Sequence, residues 1–395
     1  MALLLPQMAI RVLHLARVIN RYDFIDTIVR HLPRDRFTVE VATFSKEANI
    51  EDPAYAEVGI PHHLLPVPAI DAYPSYLLTA WKLHRLVRRR QIHLLHTHHY
   101  YEGLIGAWVR RSNPHLRFIL HRHYTYDVLL LRGLKQKALL KAEGWSYRLA
   151  DALVVPTRTI ADIVRQTYPT LQTPLHEIPY GFDWEAPRYR PLTLEERQAT
   201  RQRYGASEET VVIANLGSHR RQKGQFELIH AFSQVFAQQR HTRLWLVGEG
   251  PDTPALRERA QQLRLTEPEA DPPCRFLGWQ KADQVRLLLG SCDIVAHPTH
   301  SEAFPQVMVE ALLHQRPLVI TPVSGVKEWL RHLQDAWIIP IQDEAALQEA
   351  LIVLATNKAL RQEMGRQAAA HLRNQLAYST INAYYETLYQ RLCSP

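Results

Sequence analysis

The sequence predicts an α/β protein made of two doubly wound domains, each with a parallel sheet covered by helices. Three observations support this. The 395 residues exceed the size of one ordinary domain. Short apolar runs alternate with amphipathic segments of helix length, which is typical of βαβ units. Two such series occur, separated by a segment rich in proline, glycine and charge, so we expect two sheets.

The first series predicts a domain over residues 1–185, and the second a domain over residues 186–373. The strands of the first are IRVLHLA, TVEVATF, IHLLHTH, RFILHRH and ALVVPT. Those of the second are VVIANLG, RLWLVGEG, CRFLGW, DIVAHPT, PLVIT and AWIIP. We expect PYGFDWEAPRYRPLTLEERQATRQRYGAS to link them. Residues 374–395 carry an apolar stripe at helical spacing, which predicts a final amphipathic helix.

The composition indicates a globular protein without a membrane span. The chain is 46% hydrophobic and 22% charged, as in ordinary globular proteins. No run reaches the length of a membrane span, and the apolar start has no basic leader, so we expect a buried strand there and not a signal peptide. The three cysteines, Cys274, Cys292 and Cys393, have no motif spacing, which favours a reducing cytoplasm. The net charge of +8 fits a sugar nucleotide, an anionic lipid surface or a nucleic acid, without choosing among them.

The stretch DIVAHPTHSEAFPQVMVEAL, residues 293–312, predicts a strand, a loop and then a helix. The helix should begin near Pro305, because proline suits the first helical position. The amides of Gln306, Val307 and Met308 would then be free at the helix start, where anions such as phosphate bind. In open parallel sheets, ligands bind beyond the carboxyl ends of the strands, so this loop is a candidate binding site.

Two acids stand eight residues apart in the same stretch. Glu302 lies in the loop before the helix, and Glu310 shares a helix face with Gln306. A carboxylate at Glu310 could accept paired hydrogen bonds from the vicinal hydroxyls of a ribose. The alternative is that Glu302 caps the helix and Glu310 is a solvated surface residue.

A basic loop, GSHRRQKGQFELIHAF, follows the first strand of the second domain. The strand should end at Gly217 and a helix should begin near Gly224, with Arg220, Arg221 and Lys223 between them. Such a loop can bind a diphosphate, with lysine as a point charge and arginine as a fork. The alternative is a basic surface loop.

Five histidines follow strands of the first domain: His96, His98, His99, His121 and His123. Imidazole clusters bind zinc, so a metal site is one interpretation. Adjacent strand positions point to opposite faces, so not all five can converge. No set of cysteines or acids completes a closed site. We therefore predict packed or solvated histidines and no metal site.

These motifs together resemble family 4 of the retaining glycosyltransferases. SEAFPQVMVEALLHQRPLVITPVSGVKEWL is similar to the E-x7-E segment of that family. DALVVPTRTIADIV, IPYGFD, KGQFELIHAF, RLWLVGEGP and FLGWQKADQVRLLLGSCDIVAHPT occur in the family's order and spacing. The resemblance implies a GT-B fold, with two Rossmann-like domains facing across a cleft, the acceptor in the first and the nucleotide sugar in the second. It also implies that residues 374–395 cross back to the first domain.

The resemblance also implies roles for particular side chains. Glu310 would hold the nucleotide ribose, and Glu302 would lie near the donor sugar and its leaving phosphate. Lys223 would stabilise the departing diphosphate. His121, at the end of the strand RFILH, would contact the transferred sugar.

This sequence departs from the family pattern in two places. The family's diphosphate-binding arginine aligns near Ser218, so Arg220 or Arg221 would have to replace it. The loop after the first strand, LARVINRYDF, lacks the family's paired glycines, so the acceptor-side contact should differ. The family needs no D-x-D metal clamp, and none is present. We therefore expect a metal-independent retaining transferase without a cofactor, using a UDP- or GDP-sugar donor and a glycan, lipid-linked or small-molecule acceptor.

A membrane contact is one further expectation. LLLRGLKQKALLKAEGWSYRL mixes leucines with five basic residues, Arg132, Lys135, Lys137, Lys141 and Arg148. A basic amphipathic helix can lie on an anionic bilayer, so the cytoplasmic protein could be peripheral at the inner face of the membrane. The alternative is an ordinary helix with a solvated basic face.

Four other functions compete with transfer. A sugar-nucleotide epimerase shares the architecture, although its set of acids and histidine is not evident. A nicotinamide dehydrogenase needs G-x-G-x-x-G, and VGEGP falls short. A catalytically silent sugar-nucleotide-binding protein is consistent with the displaced arginine. A nucleic-acid binder should show a basic face lined with aromatic residues, which the sequence does not indicate.

Overall fold

The computed structural model describes residues 9–19, 23–44, 54–65, 73–124, 133–267 and 270–394. The chain divides into two compact units: unit 1 comprises residues 1–183 and 376–395, and unit 2 comprises residues 184–375. The chain passes from unit 1 to unit 2 after residue 183 and returns to unit 1 after residue 375. The sequence predicts these changes after residues 185 and 373, two residues away in each case. The predicted α/β class with two doubly wound domains is confirmed.

The strands are β1 (Ile10–Ala16), β2 (Phe37–Thr43), β3 (His62–Leu64), β4 (Leu94–His98), β5 (Arg117–His121), β6 (Ala152–Val155), β7 (Leu175–Glu177), β8 (Val211–Leu216), β9 (Thr242–Val247), β10 (Cys274–Gly278), β11 (Ile294–His297), β12 (Leu318–Ile320) and β13 (Trp337–Ile338). The helices are α1 (Phe24–His31), α2 (Tyr73–Arg90), α3 (Tyr100–Arg111), α4 (Gly133–Leu149), α5 (Arg158–Thr167), α6 (Leu194–Arg203), α7 (Gln225–Gln238), α8 (Thr253–Gln262), α9 (Ala282–Ser291), α10 (Gln306–Leu313), α11 (Val326–Trp329), α12 (Glu344–Thr356), α13 (Lys358–Gln375) and α14 (Tyr378–Cys393).

Each unit contains one parallel sheet. Among the described residues of unit 1, seven strands pair in the order β3-β2-β1-β4-β5-β6-β7, and in unit 2 six strands pair in the order β10-β9-β8-β11-β12-β13. The central strands are buried along their length, which explains their continuous apolar runs. Strands β3 and β7 were not predicted, because each has three residues, includes polar side chains and lies at a sheet edge.

The final helix α14 belongs to the core of unit 1. Ile381, Tyr385, Leu388 and Tyr389 are buried with apolar residues of β1, β2 and α1. Hydroxyl Oη of Tyr389 lies 2.6 Å from Nδ1 of His96, so the helix also contacts the centre of the sheet. The apolar stripe read from the sequence is thus the face that packs, except that Tyr384 is 56% exposed.

The segment predicted as a linker is largely part of unit 2. Helix α6 begins with a capping box between Thr193 and Glu196. Arg201 is almost completely buried, and its Nη1 atom donates to Asp293 at 3.0 Å and to the Ser291 carbonyl at 2.7 Å. The charged residues of this segment led to the prediction of a linker. Arg201 is instead buried, and its N–H groups donate to acceptors within unit 2.

The predicted basic helix corresponds to α4, while residues 129–132 of the quoted stretch lie outside the described part of the chain. Lys135, Lys137 and Lys141 are exposed, and Leu134 is 85% exposed. The opposite face is buried through Glu143, which pairs with Arg122 at 2.9 Å. No helix within the described residues has the length and apolar character needed to cross a membrane.

Candidate functional site

The loop between β8 and α7 is shaped by a glycine. Gly224 has a left-handed backbone (φ +71°), and a Cβ atom there would collide with the carbonyl of Pro298. This close approach brings the β8–α7 loop against the loop after β11. Thr299 Oγ1 and the His300 amide both donate to the Gln222 carbonyl, at 3.0 and 2.7 Å. The two candidate motifs of unit 2 are therefore adjacent.

Lys223, Glu302 and His297 form one network across these loops. The Nζ atom of Lys223 lies 2.6 Å from Oε1 of Glu302, and Nε2 of His297 lies 2.6 Å from Oε2 of the same carboxylate. Burial by itself raises the pKa of Glu302, but His297 and Lys223 outweigh burial and hold that pKa at about 2. The carboxylate is thus ionised at neutral pH, with both oxygens occupied.

Helix α10 begins one residue later than predicted. Pro305 is the N-cap, with φ −74° and ψ 98°, and Gln306 is the first helical residue. The Met308 amide donates to the Pro305 carbonyl at 3.0 Å, so the expectation of a free Met308 amide is wrong. The amides of Gln306 and Val307 stay at the helix start, where an anion is favoured. Val307 is buried, whereas Gln306 is half-buried.

Glu310 is paired with an arginine that the sequence analysis did not single out. Its Oε1 atom accepts a short hydrogen bond from Nη2 of Arg188, and both side chains are mostly buried. Arg188 lies in a short 3-10 helix, Pro187–Tyr189, shortly before α6. The interpretation of Glu310 as a solvated surface residue is therefore wrong.

The two arginines proposed for the diphosphate lie at the surface. Arg220 and Arg221 are both exposed, and the guanidinium of Arg221 lies 4.6 Å from the centre of the Phe226 ring. Neither forms an ion pair with a described residue of the network. Of the three basic residues in the loop, only Lys223 is joined to Glu302 in this structure.

His121 lies in unit 1 among other histidines. The ring of His121 is close to those of His96, His98 and His123, with distances of 3.8 to 5.7 Å between ring centroids. His14 is buried in the same cluster. His96 and His98 stand two residues apart on β4, and His121 and His123 are also two apart, so each pair shares one face of the sheet. Four of the five predicted histidines therefore converge, and His99 alone is exposed, at φ +73°.

The first residue after β1, in the segment that lacks the expected glycines, contacts a carboxylate. The Arg17 amide donates to Oε1 of Glu102 at 2.8 Å, and Glu102 is buried near the start of α3. Burial is the largest effect on Glu102 and raises its pKa to about 7, against the lowering effect of backbone hydrogen bonds. Arg17 thus has a polar backbone contact at the start of this segment.

His297 and Arg188 are the site residues that sequence reasoning missed. His297 ends β11, so the rule that ligand-binding residues follow strands would have found it. Arg188 had no local signal, because its partner Glu310 is distant in sequence and its own segment was predicted to be a linker.

Two family models match this chain: glycosyltransferase family 4 over residues 24–186 and glycosyl transferases group 1 over residues 196–371. The chain is 23% identical over 322 residues to N-acetyl-alpha-D-glucosaminyl L-malate synthase of Bacillus anthracis, covering 80% of each chain. It is 24% identical over 292 residues to D-inositol 3-phosphate glycosyltransferase of Corynebacterium efficiens, covering 71% of this chain and 67% of the relative.

Among solved structures, Anabaena Alr3699/HepE in complex with UDP and glucose superposes with a TM-score of 0.80. Its sequence identity is 18%, and the match covers 96% of this chain and 99% of the other. At that identity the likeness concerns the fold alone. Together, the two family models cover nearly the whole described chain, and the chain belongs to the group 1 glycosyl transferases of family 4.

Proposed function

We propose that this glycosyltransferase is a retaining enzyme that moves a sugar from a nucleotide-diphosphate donor to a glycan, lipid-linked or small-molecule acceptor. The observation that carries the proposal is the network of Lys223, Glu302 and His297 beside the start of α10. A cation and the free amides of a helix start are the groups that bind and stabilise a diphosphate, and this network supports such a role.

The nucleotide would bind to unit 2. Glu310 would accept the ribose hydroxyls through the oxygen that Arg188 does not occupy. Lys223 and the amides of Gln306 and Val307 would hold the diphosphate without a metal ion, and Arg220 or Arg221 would turn inward to add a second cation. The diphosphate would compete with Glu302 for Lys223, so donor binding would free Glu302 to face the sugar.

The transfer step would rely on charge stabilisation more than on a protein base. The bond between the anomeric carbon and the diphosphate oxygen breaks as the acceptor oxygen bonds on the same face of the sugar. The acceptor proton passes to the departing diphosphate, whose charge Lys223 stabilises. Sugar contact by His121 stays a prediction from family resemblance, since that side chain is fully buried among histidines of unit 1.

UDP is the nucleotide that we favour over GDP. Support comes from Alr3699/HepE, whose structures contain UDP, UDP with glucose, and UDP-glucose. The names of the relatives point to acceptors of different kinds, since they mention L-malate, D-inositol 3-phosphate and lipopolysaccharide core. We also propose that the exposed lysines of α4 give a peripheral contact with anionic membranes.

A catalytically silent sugar-nucleotide-binding protein is the second candidate. It is favoured by the exposure of Arg220 and Arg221 and by Ser218 at the position where the family has arginine. Without a second cation, the departing diphosphate would be less stabilised, while nucleotide could still bind.

The deciding experiment combines binding and turnover. Calorimetry with UDP and GDP measures nucleotide affinity, and slow donor hydrolysis measures breakage of the sugar–phosphate bond without an acceptor. Glu310→Ala should weaken binding, and Glu349→Ala, an exposed acid on α12, is the matched control. Binding without any hydrolysis would favour the silent protein, and an inverted anomeric product would exclude retention.

A further inference from the structure

Three adjacent strands of unit 1 bring five buried histidines together. His14 is on β1, His96 and His98 are on β4, His121 ends β5, and His123 follows it. The pairing register sets His14 beside His96 and His98 beside His121. All five side chains are at most 8% exposed. Five imidazoles buried in one cluster call for a physical reason, because each has two polar nitrogens.

The nitrogen atoms are spaced like ligands of one metal ion. Nδ1 of His98 lies 3.0 Å from Nε2 of His123. With zinc–nitrogen bonds near 2.0–2.1 Å, two ligands of a tetrahedral site stand about 3.3 Å apart. One ligand atom from each of His98, His121 and His123 lies within 4.8 Å of the others. Small adjustments of the rings would therefore bring all three to bonding distance of a shared ion.

His121 distinguishes this triad from the other arrangement in the cluster. Both of its ring nitrogens are buried and have no hydrogen-bond partner within the described part of the chain. A buried polar atom without a partner loses the hydrogen bonds that it would make in water, which disfavours the folded state. His14, His96 and His98 also lie close enough to share an ion, and Nε2 of His14 and Nε2 of His96 are likewise buried without a partner among the described residues. Within the cluster, however, His121 is the ring with neither nitrogen paired, so we choose the triad that includes it.

The outer contacts also suit metal binding. Metal-bound histidines usually give their second ring N–H to another group, which fixes the ring. Nδ1 of His123 lies 2.9 Å from Oη of Tyr180, and Nε2 of His98 lies 3.1 Å from Nδ1 of His14. These contacts orient Nε2 of His123 and Nδ1 of His98 toward each other.

We propose that His98, His121 and His123 bind one divalent transition-metal ion in unit 1, with zinc as the best match to three imidazole ligands. Imidazole ligands select zinc, copper, nickel or iron over magnesium or calcium. Three imidazoles leave at least one coordination position for another ligand. The site differs from a D-x-D clamp, since it uses no carboxylate and belongs to the unit that we do not assign to the nucleotide. The proposal reverses the sequence-based expectation of no metal site.

The test is metal uptake by the full-length, tag-free protein after removal of metal with a chelator. Co²⁺ is titrated first, because its visible absorption reports coordination by nitrogen ligands, and Zn²⁺ is then used to displace it. One ion per chain is expected. His121→Ala and His123→Ala should lose binding, while Tyr180→Phe, which removes only an outer contact, should weaken it about 10- to 100-fold.

Two controls keep folding apart from coordination. His96→Ala alters an equally buried histidine of the same cluster that is outside the proposed triad, and it should still bind one ion. His93→Ala removes a histidine outside the cluster and tests for adventitious surface binding. Circular dichroism and UDP calorimetry on each variant report folding and the nucleotide site independently of metal.

Three results would overturn the proposal. The first is the absence of Co²⁺ uptake by the folded parent protein, which would make the cluster a packed histidine network. The second is loss of uptake in His96→Ala with retention in His121→Ala, which would assign the ion to the other triad. The third is uptake that no cluster variant changes, which would place the ion elsewhere.

Discussion

Nζ of Lys223 lies 2.6 Å from Oε1 of Glu302, so the cation proposed to meet the donor diphosphate is already neutralised by a carboxylate. His297 binds the other oxygen of that carboxylate. Glu302 is therefore a fixed anion that positions Lys223 before any ligand arrives. Replacing Lys223 or Glu302 should therefore change the charge and the position of the other side chain.

Lys223→Ala should reduce turnover more than it reduces affinity for the free nucleotide. The charge on the leaving diphosphate is greatest in the transition state, so the lysine contributes most there. Glu302→Gln should also lower turnover while UDP still binds. Steady-state kinetics beside calorimetry makes the comparison, with Lys281→Ala on the surface of unit 2 as the control. Equal losses in affinity and turnover would contradict the assignment of Lys223 to the transition state.

The stability of the protein should depend on Glu302 in acid. The pKa of Glu302 is about 2 when folded, against an ordinary value of 4.5. A depressed pKa adds stability that is fully present above pH 4.5 and is lost as the pH falls toward 2. That contribution is about 3 kcal/mol at most. Glu302→Gln should therefore flatten the dependence of unfolding free energy on pH in this window, as measured by urea denaturation. Parallel curves for both proteins would refute the coupling.

Arg188 should act on nucleotide binding through Glu310. Glu310→Ala should weaken UDP binding roughly ten- to a hundred-fold, because charged hydrogen bonds contribute about 1.5–3 kcal/mol. Arg188→Ala should weaken binding less, since the carboxylate remains but loses its orientation. The double variant should match Glu310→Ala alone, which a calorimetric double-mutant cycle can measure. Additive losses would mean that Arg188 contacts the nucleotide directly.

A chain that ends at Gln375 should lose the fold of unit 1. Ile381, Tyr385, Leu388 and Tyr389 are buried in its core, and each large apolar side chain contributes about 1.5–3 kcal/mol. Their combined loss is comparable to the whole stability of a typical domain. Unit 2 should stay folded and still bind UDP. Differential scanning calorimetry checks this, with removal of Ser394 and Pro395 alone as the control, and an unchanged melting profile would contradict it.

Anionic vesicles should bind the protein through α4 at low salt. Each exposed lysine near the surface of such a vesicle contributes about 1 kcal/mol, and salt screens the attraction. Replacing Lys135, Lys137 and Lys141 with alanine should abolish cosedimentation. The matched control replaces three exposed lysines of unit 2, Lys281, Lys327 and Lys358. Equal binding to neutral vesicles, or no binding to either type, would exclude this contact.

The sheet positions could be predicted because central parallel strands are buried on both faces and carry continuous apolar runs. β1 matches IRVLHLA in full, and β11 lies within DIVAHPT. Short edge strands such as β7 escape prediction, since a half-exposed run of three residues has no periodicity.

Site residues that follow strands could also be predicted, because the carboxyl ends of parallel strands share one edge of the sheet. Lys223 and Glu302 were found in this way. Arg188 could not be, because its pairing with Glu310 depends on how a distant segment folds back. The histidine cluster could be predicted only in part. Alternation assigned the histidines to faces, but the sequence did not show that β1 would add His14 between β2 and β4.

The return of α14 to unit 1 makes unit 2 an insertion within another domain. The Phe182 amide donates to the Leu376 carbonyl at 2.8 Å, and the Tyr378 amide donates to the Phe182 carbonyl at 2.9 Å, so the chain leaves and re-enters at one point. During synthesis, unit 1 lacks Tyr385 and Tyr389 until the whole of unit 2 has been made. Proteolysis of ribosome-bound chains stalled beyond Gln375 should therefore find unit 2 protected first. The domain encoded second would complete its folding first, and the nucleotide site would exist before unit 1 has its full core.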